Sequence, residues 1–242
     1  MEQGNGSICA PVGFFAAGTY SGVCNCRIQL DLAMILSQND CSIVMESSFG
    51  NWQHTGRVLL YHNGLALPPS GRGNEITAEV CKAAAEHTNI PAQAVSLAAT
   101  GISNQYFRPS LLINSISTLT TSLSPEHDHL VERVMQNGGD IVSGAVSLSA
   151  SGSSYTLGGI MTEEVQGNPG MCLMTTDMAV TPQQIQQAIR SSKDCFDLQG
   201  YTIIVMANGM AATGGSNSEL LVQAMRCFMA KDGIHAALKE CS

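Results

Sequence analysis

Thr100 and Gly101 sit where a short apolar run, Ala94 to Ala99, meets a helix-like pattern that begins at Pro109. Strand, glycine turn and helix in that order leave backbone N–H groups unpaired at the turn, and such groups can hold an anion or a developing oxyanion. A glycine in that place also serves simply to let the chain turn. His127-Asp128-His129 offers two imidazoles one residue apart, a spacing that on a strand puts both on one side, as a general base or as metal ligands. After Ser124-Pro125-Glu126, however, the segment reads as a helix start, where the two rings diverge by about 200°. A solvated surface is the expectation for them. Cys24-Asn25-Cys26 is the one tight cysteine pair, and it lacks the second paired motif that marks a structural zinc site. No metal and no other cofactor is expected.

Composition narrows the partners. The chain has 242 residues, of which 44% are hydrophobic and only 12% charged, so it can bury a substantial core and carries mostly uncharged polarity on its surface. Its net charge of -8, with 11 Lys and Arg spread along the chain, argues against nucleic acid and against acidic membrane surfaces, which need clustered cations. No apolar run reaches the ~20 residues that span a bilayer. Nine cysteines at irregular spacing, with no secretory leader at the start, point to reduced thiols and a cytoplasmic protein.

The elements that must position these groups follow from periodicity. Ile28 to Ser37 reads as a buried strand bounded by polar Ser37-Gln38-Asn39-Asp40, and Arg57 to His62 as a second strand that ends at the turn dipeptide Asn63-Gly64. A Pro- and Gly-rich loop, Leu67 to Asn74, precedes a helix over Thr77 to Thr88 with Glu75 and Glu79 in its acidic first turn. Ile141 to Ile160 alternates small polar and apolar residues and breaks at Ser151-Gly152, a hairpin signal. Thr181 caps a helix over Pro182 to Ile189. Tyr201 to Met206 is a further strand, and Glu219 to Ala230 a last amphipathic helix. Helices alternate with paired strands, which favours a layered α/β or α+β sheet.

Several short segments, taken in order, resemble the bifunctional ornithine acetyltransferase (glutamate N-acetyltransferase) family. Pro11 to Gly18 is similar to that family's Gly-Phe-x-Ala-Ala-Gly opening, and Asp31-Leu32-Ala33-Met34-Ile35 to its next strand. Ala99-Thr100-Gly101-Ile102 resembles the stretch whose Thr-Gly pair forms the oxyanion hole. Gly158-Gly159-Ile160 resembles the strand before the nucleophile, and Thr175-Thr176-Asp177 with Ala179-Val180 the strand after it. Ala207-Asn208-Gly209-Met210-Ala211 and Lys231-Asp232-Gly233 fall where the family has its Ala-Asn-Gly and Asp-Gly segments. The resemblance implies one domain over 1–242, with sub-lobes 8–167 and 168–242, built of layered helices and mixed sheets, and it implies a homo-oligomer.

It also implies chemistry. In the family a precursor cuts itself before a threonine, which takes an acetyl group from acetylornithine and passes it to glutamate, a scheme that needs an activated hydroxyl and an oxyanion hole. Thr100 and Gly101 keep the hole candidate. The segment that should carry the threonine aligns with Gly167 to Leu173 and has none, so the chain is expected to remain uncut. Cys172 is the nearest nucleophile, unless it packs among Met171, Leu173 and Met174 as buried cysteines do. Thr162 replaces the family's substrate-binding lysine, Ile234 replaces a glutamate, and the C-terminal portion is shortened. His62 and Asn63 align with a substrate-facing loop, His235 adjoins the Asp-Gly segment, and Thr175 offers a further hydroxyl. The reading is an enzyme acting on an acyl or amide group of a small amino-acid-like substrate, by transfer or hydrolysis, in specialised metabolism. Two alternatives stay open: cyclisation or another acid/base step through His62, His235 or Asp177 in the same pocket, and a ligand-binding protein without activity.

Overall fold

A computed structural model of the chain describes residues 6–23, 30–47, 50–63, 67, 71–99, 106–136, 140–150, 152–162, 170–193, 201–211 and 218–229. The strands are β1 (Phe14–Thr19), β2 (Leu32–Ser47), β3 (Gly50–His62), β4 (Val95–Ala99), β5 (Ile141–Ala150), β6 (Ser153–Thr162), β7 (Gly170–Thr176) and β8 (Tyr201–Ala207). The helices are α1 (Gly71–Thr88), α2 (Ser110–Thr121), α3 (Asp128–Met135), α4 (Pro182–Lys193) and α5 (Ser218–Met229). One eight-stranded mixed sheet runs in the order β4-β3-β2-β8-β7-β6-β5, with β1 added antiparallel to β2.

Strand alternation sorts this sheet into layers, because successive side chains point to opposite faces. Leu32 and Met34 of β2 and Val58 and Leu60 of β3 pack under α1 and α2, with Val80, Leu112 and Ile116. Their neighbours Ala33, Ile35, Leu59 and Tyr61 turn inward to meet Met171 and Leu173 of β7 and Ile204 and Met206 of β8, and Val131 and Val134 of α3 join them. The opposite face of β7 and β8, carrying Cys172, Met174, Ile203 and Val205, packs under α4 and α5. Two sheet halves therefore share one inner core, and each has a helical layer outside it.

The two halves are joined through β2 and β3. Pairing slips between Leu36 and Cys41, where β2 carries four residues against one on β3. Such a bulge bends a strand and sharpens its twist. Arg57, the single residue opposite, holds the corner by donating to the carbonyls of Ser37 at 3.2 Å and Gln38 at 2.6 Å. The sequence reading ends the strand at Ser37 because Gln38-Asn39-Asp40 looks like a turn. The strand in fact continues to Ser47, with those three residues exposed on the bulge. Helix α1 likewise begins at Gly71 rather than Thr77, so its first turn contains no acidic residue.

A strap over the inner core completes the fold. Ser7 donates its N–H to the Asp128 carboxylate at 2.6 Å, and the Thr175 hydroxyl donates to the Ile8 carbonyl, also at 2.6 Å. Gly158 lies directly beneath, where a Cβ would come within 1.8 Å of the Ser7 carbonyl oxygen. Farther along, Asn208 donates to the Val12 carbonyl at 2.8 Å. The hairpin of β5 and β6 and helix α4 agree closely with the sequence reading. At α4, Thr181 and Gln184 form a reciprocal capping box, the Thr181 hydroxyl accepting from Gln184 N and the Gln184 side chain from Thr181 N.

Candidate functional site

His62 is the last residue of β3, and it continues the face of Val58 and Leu60 toward the α1 and α2 layer. Its ring meets Phe107 edge-on, with centroids 5.3 Å apart and planes at 79°. It is in register with Leu32 of β2 on one side and, in parallel, with Ala99 of β4 on the other. The chain therefore leaves β4 toward Thr100 from the level of His62. Thr100, Gly101 and His235 themselves lie outside the described residues, as do Cys24 and Cys26.

Asp31 closes this corner from the β2 side, and nothing local in the sequence marked it for that task. Its carboxylate accepts N–H groups from Ser21 and, at 2.9 Å, from Gly22, while its carbonyl accepts the Asn63 N–H at 3.2 Å. The backbone entering β2 and the backbone leaving β3 are thereby pinned together beside the His62 ring.

The side chains at this corner are buried. His62 is 1% exposed and Asn63 5%. His62 Nδ1 and both amide atoms of Asn63 have no hydrogen-bond partner among the described residues. Each such atom costs about 1–3 kcal/mol, and folded proteins retain few of them. Burial also pulls the His62 pKa down to about 4, against the opposing pull of the Asp31 carboxylate. At neutral pH the ring is uncharged, with one nitrogen donating and the other accepting. Imidazole and amide together present uncharged donors and acceptors to whatever binds against them.

The other residues singled out from the sequence are not part of this corner. Cys172 is fully buried and belongs to the cluster beneath α4 and α5, on the face of β7 turned away from the inner core. Thr175 is on the inward face, and its hydroxyl is already donated to Ile8. Thr162, at the end of β6, accepts the Met171 N–H at 3.2 Å. Asp177 accepts the Thr156 N–H at 2.8 Å, and burial raises its pKa against the lowering effect of its backbone donors. Among the described residues no hydrogen bond joins any of these to His62 or Asn63.

His127 and His129 differ from expectation in geometry. His127 caps α3 from outside, at φ -100° and ψ 19°, so helical divergence does not apply and the rings stand edge to face 5.9 Å apart. Each Nδ1 lies against a backbone carbonyl, of Ser122 at 2.8 Å and of Glu126 at 3.1 Å. Among the described residues no group of three or more His, Cys, Asp or Glu could hold a metal ion, and no helix is long and apolar enough to cross a membrane.

No family model matches the chain. In sequence it is 28% identical to the arginine biosynthesis bifunctional protein ArgJ of Synechococcus sp., over 88% of this chain and 58% of that protein. A chloroplastic ArgJ of Physcomitrium patens is 26% identical over 87% of this chain and 46% of its own length. The chain thus spans about half the length of the curated relatives it matches. Among solved structures, ArgJ of Bacillus halodurans aligns with a TM-score of 0.54 at 18% identity, covering 66% of this chain and 92% of that one. The L-aminopeptidase D-Ala-esterase/amidase of Ochrobactrum anthropi, a variant of the Ntn-hydrolase fold, also aligns at 0.54, with 10% identity over 97% of this chain and 88% of its own. The chain is therefore similar in sequence to ArgJ proteins of the ornithine acetyltransferase family, and its mixed α/β fold is similar to those of ArgJ and the Ntn hydrolases.

Proposed function

We propose that this chain is an enzyme of acyl transfer or amide hydrolysis that acts on a small amino-acid-like substrate. The observation that carries the reading is the buried polar edge of His62 Nδ1 and the Asn63 amide, without partners among the described residues, where His62 is in register with Ala99, the strand end that leads into Thr100 and Gly101. ArgJ proteins are named as bifunctional proteins of arginine biosynthesis, and the Ochrobactrum relative as an aminopeptidase and esterase/amidase. The second name describes chemistry at an acyl carbon, and the first places its bearer in amino-acid metabolism; together they support an acyl substrate built on an amino acid here.

In this reading the Thr100-Gly101 turn donates to the oxygen of the acyl carbonyl as charge develops on it. Asn63 supplies both a donor and an acceptor, which suits the amide of an N-acyl group, and neutral His62 orients the incoming water or amine. The burial of Cys172 under α4 and α5 favours packing over nucleophilic attack for that thiol. Attack comes directly from water or an acceptor amine, on an uncut chain that serves specialised metabolism.

The test is turnover of a panel of N-acetyl amino acids, with and without an amine acceptor, followed by mass spectrometry of the products. Asn63→Leu is expected to reduce turnover about 100-fold, the usual loss when positioning of the reacting groups fails. Turnover by Asn63→Leu equal to that of the parent chain, or none by the parent on any panel member, would overturn the proposal. Intact mass should show one 25.5 kDa species; a pair of fragments would refute action by an uncut chain.

A further inference from the structure

At the sheet corner, away from the His62 end of β3, a serine and a histidine are joined in the manner of a nucleophile and its base. Ser96 Oγ lies 2.8 Å from His54 Nε2, within the reach such a pair requires. Ser96 is in register with Leu59, whose side chain faces the inner core, and His54 is in register with inward-facing Ile43. Both side chains therefore project from the inward face of the sheet, the serine on β4 and the histidine on the neighbouring β3.

The surroundings hold the imidazole in place. Trp52 packs against it, with centroids 5.2 Å apart and planes at 37°. Gly56 leaves the space that the ring occupies: a Cβ there would come within 2.8 Å of His54 Nε2 and 3.0 Å of the Ala94 carbonyl oxygen. Ser96 is 7% exposed, and His54 above it is partly open to solvent. Burial lowers the His54 pKa, so its ring is neutral at pH 7 and able to accept a proton. A neutral imidazole whose Nε2 accepts from a hydroxyl carries its own proton on Nδ1, the tautomer a general base needs.

We propose that Ser96 and His54 form a second, esterolytic site that takes small acyl esters. The Ser96 oxygen attacks the ester carbonyl carbon as its proton passes to His54 Nε2, forming a new C–O bond. The bond to the leaving alkoxide then breaks, and His54 returns the proton to that oxygen to release an alcohol. Water next attacks the acyl-serine carbonyl as its proton passes to His54; the acyl C–Oγ bond then breaks, His54 returns the proton to Ser96 Oγ, and the carboxylic acid is freed with the serine restored. The Ser–His contact is independent of His62 and Asn63, so the inference does not rest on the function proposed above.

The experiment treats the full chain with a fluorophosphonate probe, which phosphonylates activated serines, and locates the adduct by peptide mass spectrometry. The adduct is expected on Ser96, with a rate that rises with pH and levels off before neutrality as His54 loses its proton. Ser96→Ala should abolish the adduct. His54→Gln, which keeps a hydrogen-bonding group beside Ser96 but no base, should slow labelling by about 100-fold. p-Nitrophenyl acetate hydrolysis should fall in both variants. No adduct on the parent chain, an adduct on any other residue, or unchanged labelling of His54→Gln would overturn the proposal, and circular dichroism of the variants separates these results from misfolding.

Discussion

His62→Phe tests whether the imidazole is buried in its neutral form. Phenylalanine keeps an aromatic ring against Phe107 and removes the titration together with the two ring nitrogens, whose loss in the neutral form shifts stability equally at every pH. The ordinary histidine pKa of 6.5 falls to about 4 in the folded chain, a difference of about 2.5, which at about 1.4 kcal/mol for each is about 3 kcal/mol. The unfolded chain binds the proton more readily between those two values. The parent protein is therefore at full stability above pH 6.5 with respect to this group and loses stability as pH falls toward 4. Urea denaturation of parent and variant at intervals from pH 7.5 to 4.5 measures the effect, and subtracting one curve from the other removes other acid-sensitive groups. The stability advantage of the parent should decline by about 2–3 kcal/mol across that range. A difference that changes by less than about 0.5 kcal/mol, the scale of a neutral surface substitution, would refute the assignment of a buried neutral ring.

Other changes probe the remaining parts of the architecture. Asn63→Leu removes two buried atoms that have no partner among the described residues and should raise stability by about 1–3 kcal/mol in thermal melts while activity falls, the trade expected of a binding site. A loss of stability would mean that the amide is structural. Gly158→Ala forces a Cβ into the Ser7 backbone and should cost about 3 kcal/mol, the upper end for overpacking, with the melting temperature lower in proportion. Cys172 should resist iodoacetamide in the native protein and react in urea; rapid native labelling would restore it as an accessible nucleophile. Thr181→Ala should lower stability by about 1 kcal/mol through loss of the α4 cap, and an unchanged urea midpoint would contradict the capping assignment.

Local signals made part of this fold legible. The β5-β6 hairpin was readable because small and apolar residues alternate from Ile141 and break at Ser151-Gly152, and β8 because Ile203 to Met206 is continuously apolar. The passage of β2 through Gln38, Asn39 and Asp40 was not, because the residue that stabilises the bulge, Arg57, is remote in sequence. The same limit applies to the site. His62 and Asn63 stood out through family resemblance, but the burial that leaves His62 Nδ1 and the Asn63 amide without partners among the described residues is three-dimensional and no spacing encodes it. Asp31 and the Ser96-His54 pair escaped for that reason too: each acts through a neighbour set by strand pairing. Alternation along β7 does distinguish the outward-facing Cys172 from the inward-facing Thr175, once the layers on either side are known.

The strap formed by Ser7 to Val12 also has a consequence for the order of assembly. Its anchors at Asp128, Thr175 and Asn208 lie 121, 167 and 196 positions from their partners in sequence. Contacts so distant close late, because the loop entropy is spent before they form. On the ribosome, residues 7–12 emerge before β7 and β8 and must wait until those strands have been synthesised before they can dock. Through that interval the inward faces of Gly158 and Thr175 lack their cover, leaving the nascent sheet open to association with other chains.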